Sequence, residues 1–323
     1  MKQLMSFLFA AIALQGLGNA SETGRPMQPR DLYSIQRVSD PHVSPDGQLV
    51  AFTVSRTNFE QDETDSDVWV VATAGGAPRR LTTAPGSDHS PRWSPDGKRL
   101  AFISDRNGAD NVFVIWVDGG ESRQLTTSDT DVYKPQWSVD GLNLIVGSRV
   151  VPEGKTQIEN WTRDELPESE ARTIDRLLFR QWDRWLGDER NHVLRVDATS
   201  GEMTDLTPGD FDTPPVSLTS GHDFDLAPDG SELVFVRNDD PDSATSTNHD
   251  LYLKNIATGE TAKITENQGR DANPRYSPDG RFIAYTSMAN AGYESDEDVL
   301  VVYDRSTGEI QRLTDDLDRS VRE

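Results

Sequence analysis

Ser94-Pro95-Asp96-Gly97 is the stretch on which the fold turns. It recurs as Ser44-Pro45-Asp46-Gly47, Ser138-Val139-Asp140-Gly141, Ala227-Pro228-Asp229-Gly230 and Ser277-Pro278-Asp279-Gly280, at successive intervals of 50, 44, 89 and 50 residues. Proline pre-sets the negative φ of the second turn position, Asp suits the third, and Gly supplies the left-handed conformation that closes a hairpin. A short β-prone run follows each copy: Leu49–Val54, Leu100–Ser104, Leu142–Val146, Leu233–Val236 and Phe282–Thr286. A third run comes next in Asp67–Val71, Asn111–Trp116, His192–Val196, Asp250–Leu253 and Asp298–Tyr303. A Gly-containing turn then leads to a fourth run that ends in a shared phrase: Leu81-Thr82, Leu125-Thr126, Leu206-Thr207, Ile264-Thr265 and Leu313-Thr314.

Four β-runs at a period of roughly 40–50 residues are the signature of propeller blades. The sequence therefore predicts an all-β fold, a β-propeller with five recognisable four-stranded blades at about 41–82, 88–127, 133–207, 221–265 and 271–314. The 89-residue interval is read as one blade carrying an insertion at about 152–190, because only one Leu-Thr ending falls inside it. Within the insertion Ile174, Leu177, Leu178, Trp182, Trp185 and Leu186 sit at helical spacing, while Arg180-Gln181-Trp182 reads equally well as a strand. A second helical stretch is expected near Asp31-Leu32-Tyr33. After Leu313-Thr314 the sequence reaches Glu323 where the first strand of a sixth blade is due, so the array is expected to be truncated before its last blades.

The first twenty residues carry one positive charge, a largely apolar run from Leu4 to Leu17 and small residues at Gly18 and Ala20. This is signal-peptide architecture with cleavage expected between Ala20 and Ser21, giving a periplasmic or secreted chain that leaves the membrane on cleavage. The apolar run is shorter than the ~20 residues that span a bilayer. With no Cys the fold rests on burial and sheet pairing, and thiol catalysis, thiolate metal sites and lipoprotein acylation are excluded. A formal charge of -23 argues against nucleic acid or anionic membrane as a partner.

No Gly-x-Ser-x-Gly nucleophile elbow, His-Glu-x-x-His zinc helix, phosphate loop or dinucleotide fingerprint occurs in the 323 residues. His42, His89, His192, His222 and His249 fall at blade edges and strand starts and read as structural. Acidic clusters occur at Asp239–Asp242, Glu294–Asp298 and Asp315–Asp318; Asp239-Asp240-Pro241-Asp242 lacks the glycine and spacing of a calcium loop, and solvated hairpin tips are the preferred reading. No catalytic residue, metal or cofactor is predicted. The candidate substrate-binding residues are Arg180, Trp182, Arg184 and Trp185, whose interleaved guanidinium and indole groups suit a peptide carbonyl or carboxylate held against an aromatic wall. The competing expectation packs both indoles in the third blade and pairs the arginines with Asp183 and Asp188.

Asp31-Leu32-Tyr33, Arg37 to Pro41 and Val43 to Gly47 resemble the start of the propeller in the prolyl oligopeptidase family of serine peptidases, nearest the acylaminoacyl-peptidase and dipeptidyl-peptidase-like subgroup. Pro91 to Gly97, Arg180 to Trp185, Asn273 to Gly280, Ala291 to Asp296 and Asp318 to Val321 extend the resemblance over nearly all of the expected mature chain. The Ser-Pro-Asp-Gly phrase alone is shared with TolB-type propellers. The resemblance implies a propeller that sits over an α/β-hydrolase domain, screens peptides by size and helps bind their amino end. The family's catalytic Ser, Asp and His belong to that later domain and have no counterpart position here, so the chain by itself is expected to be inactive. A TolB-like periplasmic binding scaffold and a carbohydrate-active propeller enzyme are the alternative readings.

Overall fold

The computed structural model describes residues 25–153, 177–182, 184–216 and 223–321. The leader expected at 1–20 and most of the insertion, including the helical spacing at Ile174, lie outside the described residues. Five four-stranded antiparallel sheets follow one another, each ordered as the chain runs. The first holds β1 to β4 (Arg37–Val43, Leu49–Asn58, Glu63–Ala72, Arg79–Arg80) and the second β5 to β8 (Asp88–Trp93, Arg99–Ser104, Asn111–Trp116, Arg123–Gln124). The third sheet starts with β9 (Val132–Trp137) and β10 (Asn143–Val150). After a separate hairpin of β11 (Arg180–Gln181) and β12 (Arg184–Trp185) it resumes with β13 (Arg190–Asp197) and β14 (Met203–Asp205). The fourth holds β15 to β18 (Phe224–Leu226, Glu232–Arg237, Asp250–Asn255, Thr261–Lys263) and the fifth β19 to β22 (Asp271–Tyr276, Phe282–Ser287, Val299–Asp304, Glu309–Arg312). Helix among the described residues is confined to two short 3-10 turns, Pro29–Ser34 and Ser243–Thr245.

The recurrent phrases do chemical work that explains their recurrence. In each Ser-x-Asp-Gly turn the Gly has positive φ and its N–H donates to the Ser carbonyl. The Ser hydroxyl donates to the Asp carboxylate, as in Ser94 to Asp96 at 2.5 Å, and accepts the N–H of the second strand's entry, as from Arg99 at 3.0 Å. Where the fourth blade has Ala227 instead, Ser231 supplies the hydroxyl to Asp229 at 2.7 Å. At the other end, the Thr of every Leu-Thr phrase takes a third-strand N–H just past the end of the fourth strand. The five bonds run from Val68 to Thr82, Val112 to Thr126, Val193 to Thr207, Leu251 to Thr265 and Leu300 to Thr314, all at 2.9–3.0 Å.

Side chains alternate between the two faces of a strand, so each sheet packs forward and backward at once. Leu100, Phe102, Phe113 and Ile115 pack back on Ala51, Val68, Val70 and Leu81 of the first sheet. From the same strands, Ala101, Ile103, Val112 and Val114 pack forward on Val132, Leu144, Val146 and Leu194 of the third. Equivalent layers join the third sheet to the fourth and the fourth to the fifth. The first strands of neighbouring sheets meet, β1 with β5, β5 with β9 and β15 with β19, which is the radial arrangement of propeller blades. The forward-facing Leu81, Leu125 and Leu206 are covered by the next sheet, whereas their counterpart Leu313 in the fifth is 49% exposed.

Four first strands share a bulge. Asp40, Ser90, Lys134 and Asn273 each have φ between 50° and 57° and each precedes a proline, and the strand register slips there. Non-glycine residues with positive φ are uncommon and cluster where side chains are being aimed. In the third blade the bulge lays Tyr133 over β10, where Gly147 makes room: a Cβ there would stand 2.2 Å from the ring.

Candidate functional site

β10 and β13 pair in unbroken register from Asn143 with Asp197 to Val150 with Arg190, so the chain leaves the third sheet after Val150 and re-enters it at Arg190, an excursion between two strands of one sheet. Within the excursion, Arg180 pairs with Trp185 and Gln181 with Arg184, and Leu186 N–H closes on the Phe179 carbonyl at 3.0 Å. The choice left open for Arg180-Gln181-Trp182 is thus resolved as strand and turn, with Trp182 at φ 52° in the left-handed region. The Arg180 guanidinium lies 5.5 Å from the Trp185 ring centre, and Phe179 stacks on the same indole with ring centres 6.1 Å apart. Trp182 is 77% exposed and Trp185 45%. The expectation that these indoles pack in the third blade is therefore corrected. The core positions of β10 and β13 are already filled by Leu144, Val146, Leu194 and Val196, and the hairpin stands outside them. Of the four candidate residues, the structure brings Arg180 and Trp185 together, sets Trp182 at the tip and ties Arg184 into the hairpin through its backbone.

A cavity of about 670 Å³ opens at the root of the same excursion, lined by Val150 to Glu153, His192, Met203, Asp205 and the segment Pro208 to Asp210. His192 is buried and bridges it, with Nδ1 2.6 Å from an Asp205 carboxylate oxygen and Nε2 3.0 Å from the Gly209 carbonyl. Arg190 holds the same segment through Asp210 at 2.9 Å, and Arg149 holds Glu189 at 2.9 Å. Both ring nitrogens of His192 are engaged, so its role here is to fasten the segment that leads from the third blade to the fourth.

A second polar set lies where the first strands meet, and sequence reasoning did not single it out. Arg92 reaches back one blade to Asp40 at 2.8 Å, and His42 meets the other Asp40 oxygen at 3.0 Å. Burial works against the charge on Asp40, yet the hydrogen bonds from His42 and Arg92 outweigh it and hold the carboxyl down at about 2. Trp93 Nε1 donates to the His42 carbonyl and Trp137 Nε1 to the Arg92 carbonyl, each crossing to the preceding blade. Farther round, Asp225 takes Gln136 at 2.6 Å and the Tyr276 N–H at 2.8 Å. The signal available in the sequence was the recurrence of Pro-x-aromatic ahead of three of the five turn phrases, in Pro91-Arg92-Trp93, Pro135-Gln136-Trp137 and Pro274-Arg275-Tyr276.

The acidic loop of the fourth blade is internally satisfied, since Asp239 pairs with Arg237 and takes the Tyr252 hydroxyl while Asp240 accepts from Ser246 and Asn248. Among the described residues no group of three His, Cys, Asp or Glu side chains is placed to hold a metal ion.

Two family models match the chain: the TolB beta propeller domain over residues 34–167 and the dipeptidyl peptidase IV N-terminal region over residues 224–319. Dipeptidyl-peptidase 5 of Porphyromonas gingivalis is 31% identical over 328 residues, covering 97% of this chain and 47% of that protein. An uncharacterized peptidase of Bacillus subtilis, YuxL, is 32% identical over 227 residues, covering 69% of this chain and 33% of that one. The chain thus spans less than half the length of these relatives. Among solved structures, the acylaminoacyl peptidase of Pyrococcus horikoshii superposes with a TM-score of 0.68 at 18% identity, covering 93% of this chain and 42% of that one. The propeller domain of the Trilobed protease from Pyrococcus furiosus superposes with a TM-score of 0.57 at 18% identity, covering 90% of this chain and 74% of that domain. With the five radial sheets and their turn phrases, these matches identify the chain as a β-propeller domain related to the amino-terminal regions of the prolyl oligopeptidase family of serine peptidases.

Proposed function

We propose that this chain is the substrate-gating propeller of an exported serine-type oligopeptidase, in which a separate α/β-hydrolase unit of the same protein cleaves the peptide bond. The observation that carries the proposal is the match to dipeptidyl-peptidase 5 along 97% of the chain but only 47% of that protein. The half-exposed Leu313 supports it as well, because the forward face of the fifth sheet is built like the faces that a following blade covers in the first three. On this reading the chain binds and admits peptide, and the exposed Arg180, Trp182 and Trp185 contact it. The nucleophile, its base and the oxyanion donors come from the hydrolase unit, where acyl transfer through a Ser-His-Asp triad would proceed.

The test is hydrolysis of dipeptidyl and acylaminoacyl chromogenic substrates by residues 21–323 alone. No turnover is expected, and turnover that co-purifies with the chain and is blocked by a fluorophosphonate would overturn the division of labour. The TolB propeller match over residues 34–167 favours a second reading, a periplasmic protein-binding scaffold. That reading predicts a stable protein partner and no effect of the Arg180→Ala change on any peptidase activity.

A further inference from the structure

The seam between the first and second blades and the seam between the fourth and fifth use the same positions, 183 residues apart. In the first seam two buried carboxylates are both met by guanidinium groups. Asp67 takes Arg56 at 2.5 Å and Arg80 at 2.6 Å, and both oxygens of Asp88 take Arg106 at 2.7 and 2.8 Å. In the later seam Asp250 and Asp271 are equally buried, but Asp239 stands where Arg56 was, Ala289 where Arg106 was, and Asn267 where Ala84 was. Lys263, the counterpart of Arg80, remains and lies 2.5 Å from Asp250.

Asp271 is left fully buried, and neither of its oxygens receives a hydrogen bond. The hydroxyl shared by the two carboxylates is that of Thr265, which has a single proton. It accepts the Leu251 N–H at 2.9 Å and gives its proton to Asp250 at 3.1 Å. The other groups facing Asp271 are Ser287, Asn267, Tyr285 and His249, whose carbonyl accepts the Asp271 N–H at 2.8 Å. The nearby guanidinium of Arg270 is engaged with Asp298 at 3.3 Å.

We propose that a proton takes the place of the missing guanidinium, making Asp271 a proton-operated joint between the fourth and fifth blades. Protonated, the carboxyl donates into the Asp250–Thr265 pair and closes the seam. Ionised, Asp271 faces only the neutral Ser287, Asn267 and Thr265 side chains, because Lys263 is held by Asp250, and the seam loosens. Burial, with the Asp250 charge adding to it, pushes Asp271 up to about 6 against the pull of Ser287, Thr265 and Asn267. A folded value above the unfolded 3.8 means that the joint stabilises fully below about pH 4 and is lost as pH rises through about 6. His249 acts in the opposite sense over the same range, since burial, and then the charge of Arg270, lowers it to about 4. The experiment therefore compares variants at each pH.

Equilibrium unfolding of Asp271→Asn and of the parent chain at pH 4 and pH 7.5 reads the joint directly. The ratio of their folding constants should rise in favour of the variant by on the order of 100-fold between the two pH values. Asp88→Asn, which strands Arg106, should destabilise at both. The pair Asn267→Ala with Ala289→Arg rebuilds the arrangement of the second blade and should stabilise at pH 7.5 and not at pH 4. A ratio that is the same at both pH values overturns the proposal, as does a seam that responds to added sodium or calcium at fixed pH. If Asp271→Asn does not fold, the paired substitution carries the test, and its failure to stabilise at pH 7.5 overturns the proposal equally.

Discussion

Replacing Thr126 by valine should destabilise the second blade by about 2 kcal/mol, an estimate that comes from one buried hydroxyl. Thr126 is 1% exposed, accepts the Val112 N–H at 2.9 Å and donates to Asn111 Oδ1 at 2.8 Å. Valine has nearly the same shape, so no cavity opens and no apolar contact is lost. What remains is an orphaned backbone N–H in the core, at a cost of roughly 1–3 kcal/mol. Asn111 Oδ1 keeps the Ser128 N–H at 2.8 Å, so its share of the loss is small. Urea unfolding followed by tryptophan fluorescence should show a lower midpoint with an unchanged slope. Thr126→Ser keeps the hydroxyl and should cost about half as much or less. A valine variant as stable as the parent would refute the reasoning that the Leu-Thr phrase recurs for its hydroxyl.

Gly201→Ala should be more damaging than Thr126→Val, because φ is +78° and the new Cβ would stand 2.0 Å from the Leu125 carbonyl oxygen; a loss of about 3 kcal/mol or more in the same assay is expected. Arg180→Ala in the catalytically complete protein should lower kcat/KM by about 1–3 kcal/mol in transition-state terms with little change in Tm, and unchanged kinetics with a lowered Tm would end its role in substrate positioning. Trp182→Ala should shift stability by less than about 0.5 kcal/mol, since the side chain is 77% exposed. His249, lowered to about 4 chiefly by burial, binds its proton more readily in the unfolded chain, so its contribution is kept above pH 6.5 and lost as pH falls through 4. His249→Gln should accordingly gain on the parent by up to about 3 kcal/mol between pH 7 and pH 4.

The blade plan was legible because a hairpin turn and a strand ending are local chemistry, written in Ser-Pro-Asp-Gly and Leu-Thr. The first strand of the first blade nevertheless begins at Arg37, ahead of the expected limit at 41, because pairing with Ser55 on β2 extends it past the bulge at Asp40. Arg180 and its neighbours were legible as composition but not as conformation. A six-residue stretch with Trp182 and Trp185 three positions apart fits a strand hairpin and a helix face alike, and closure of Leu186 on Phe179 decides between them. The indoles were expected in the core because apolar surface usually goes there, but β10 and β13 had no space left for them. Asp40, Arg92 and Asp225 were not legible as a set, since beyond the Pro-x-aromatic recurrence nothing local marks them and their partners sit 52, 89 and 51 residues away across blades. The seam at Asp271 lies between these cases: the repeat aligns it with Asp88, yet only the packed structure shows that the cation is missing.

The most direct test of the peptidase reading is fluorophosphonate labelling of the native protein that contains residues 25–321, followed by peptide mapping. The account predicts a single labelled serine, in a Gly-x-Ser-x-Gly context, on the same polypeptide but outside those residues. A polypeptide that takes no label, or takes it on a serine of this propeller, would contradict it.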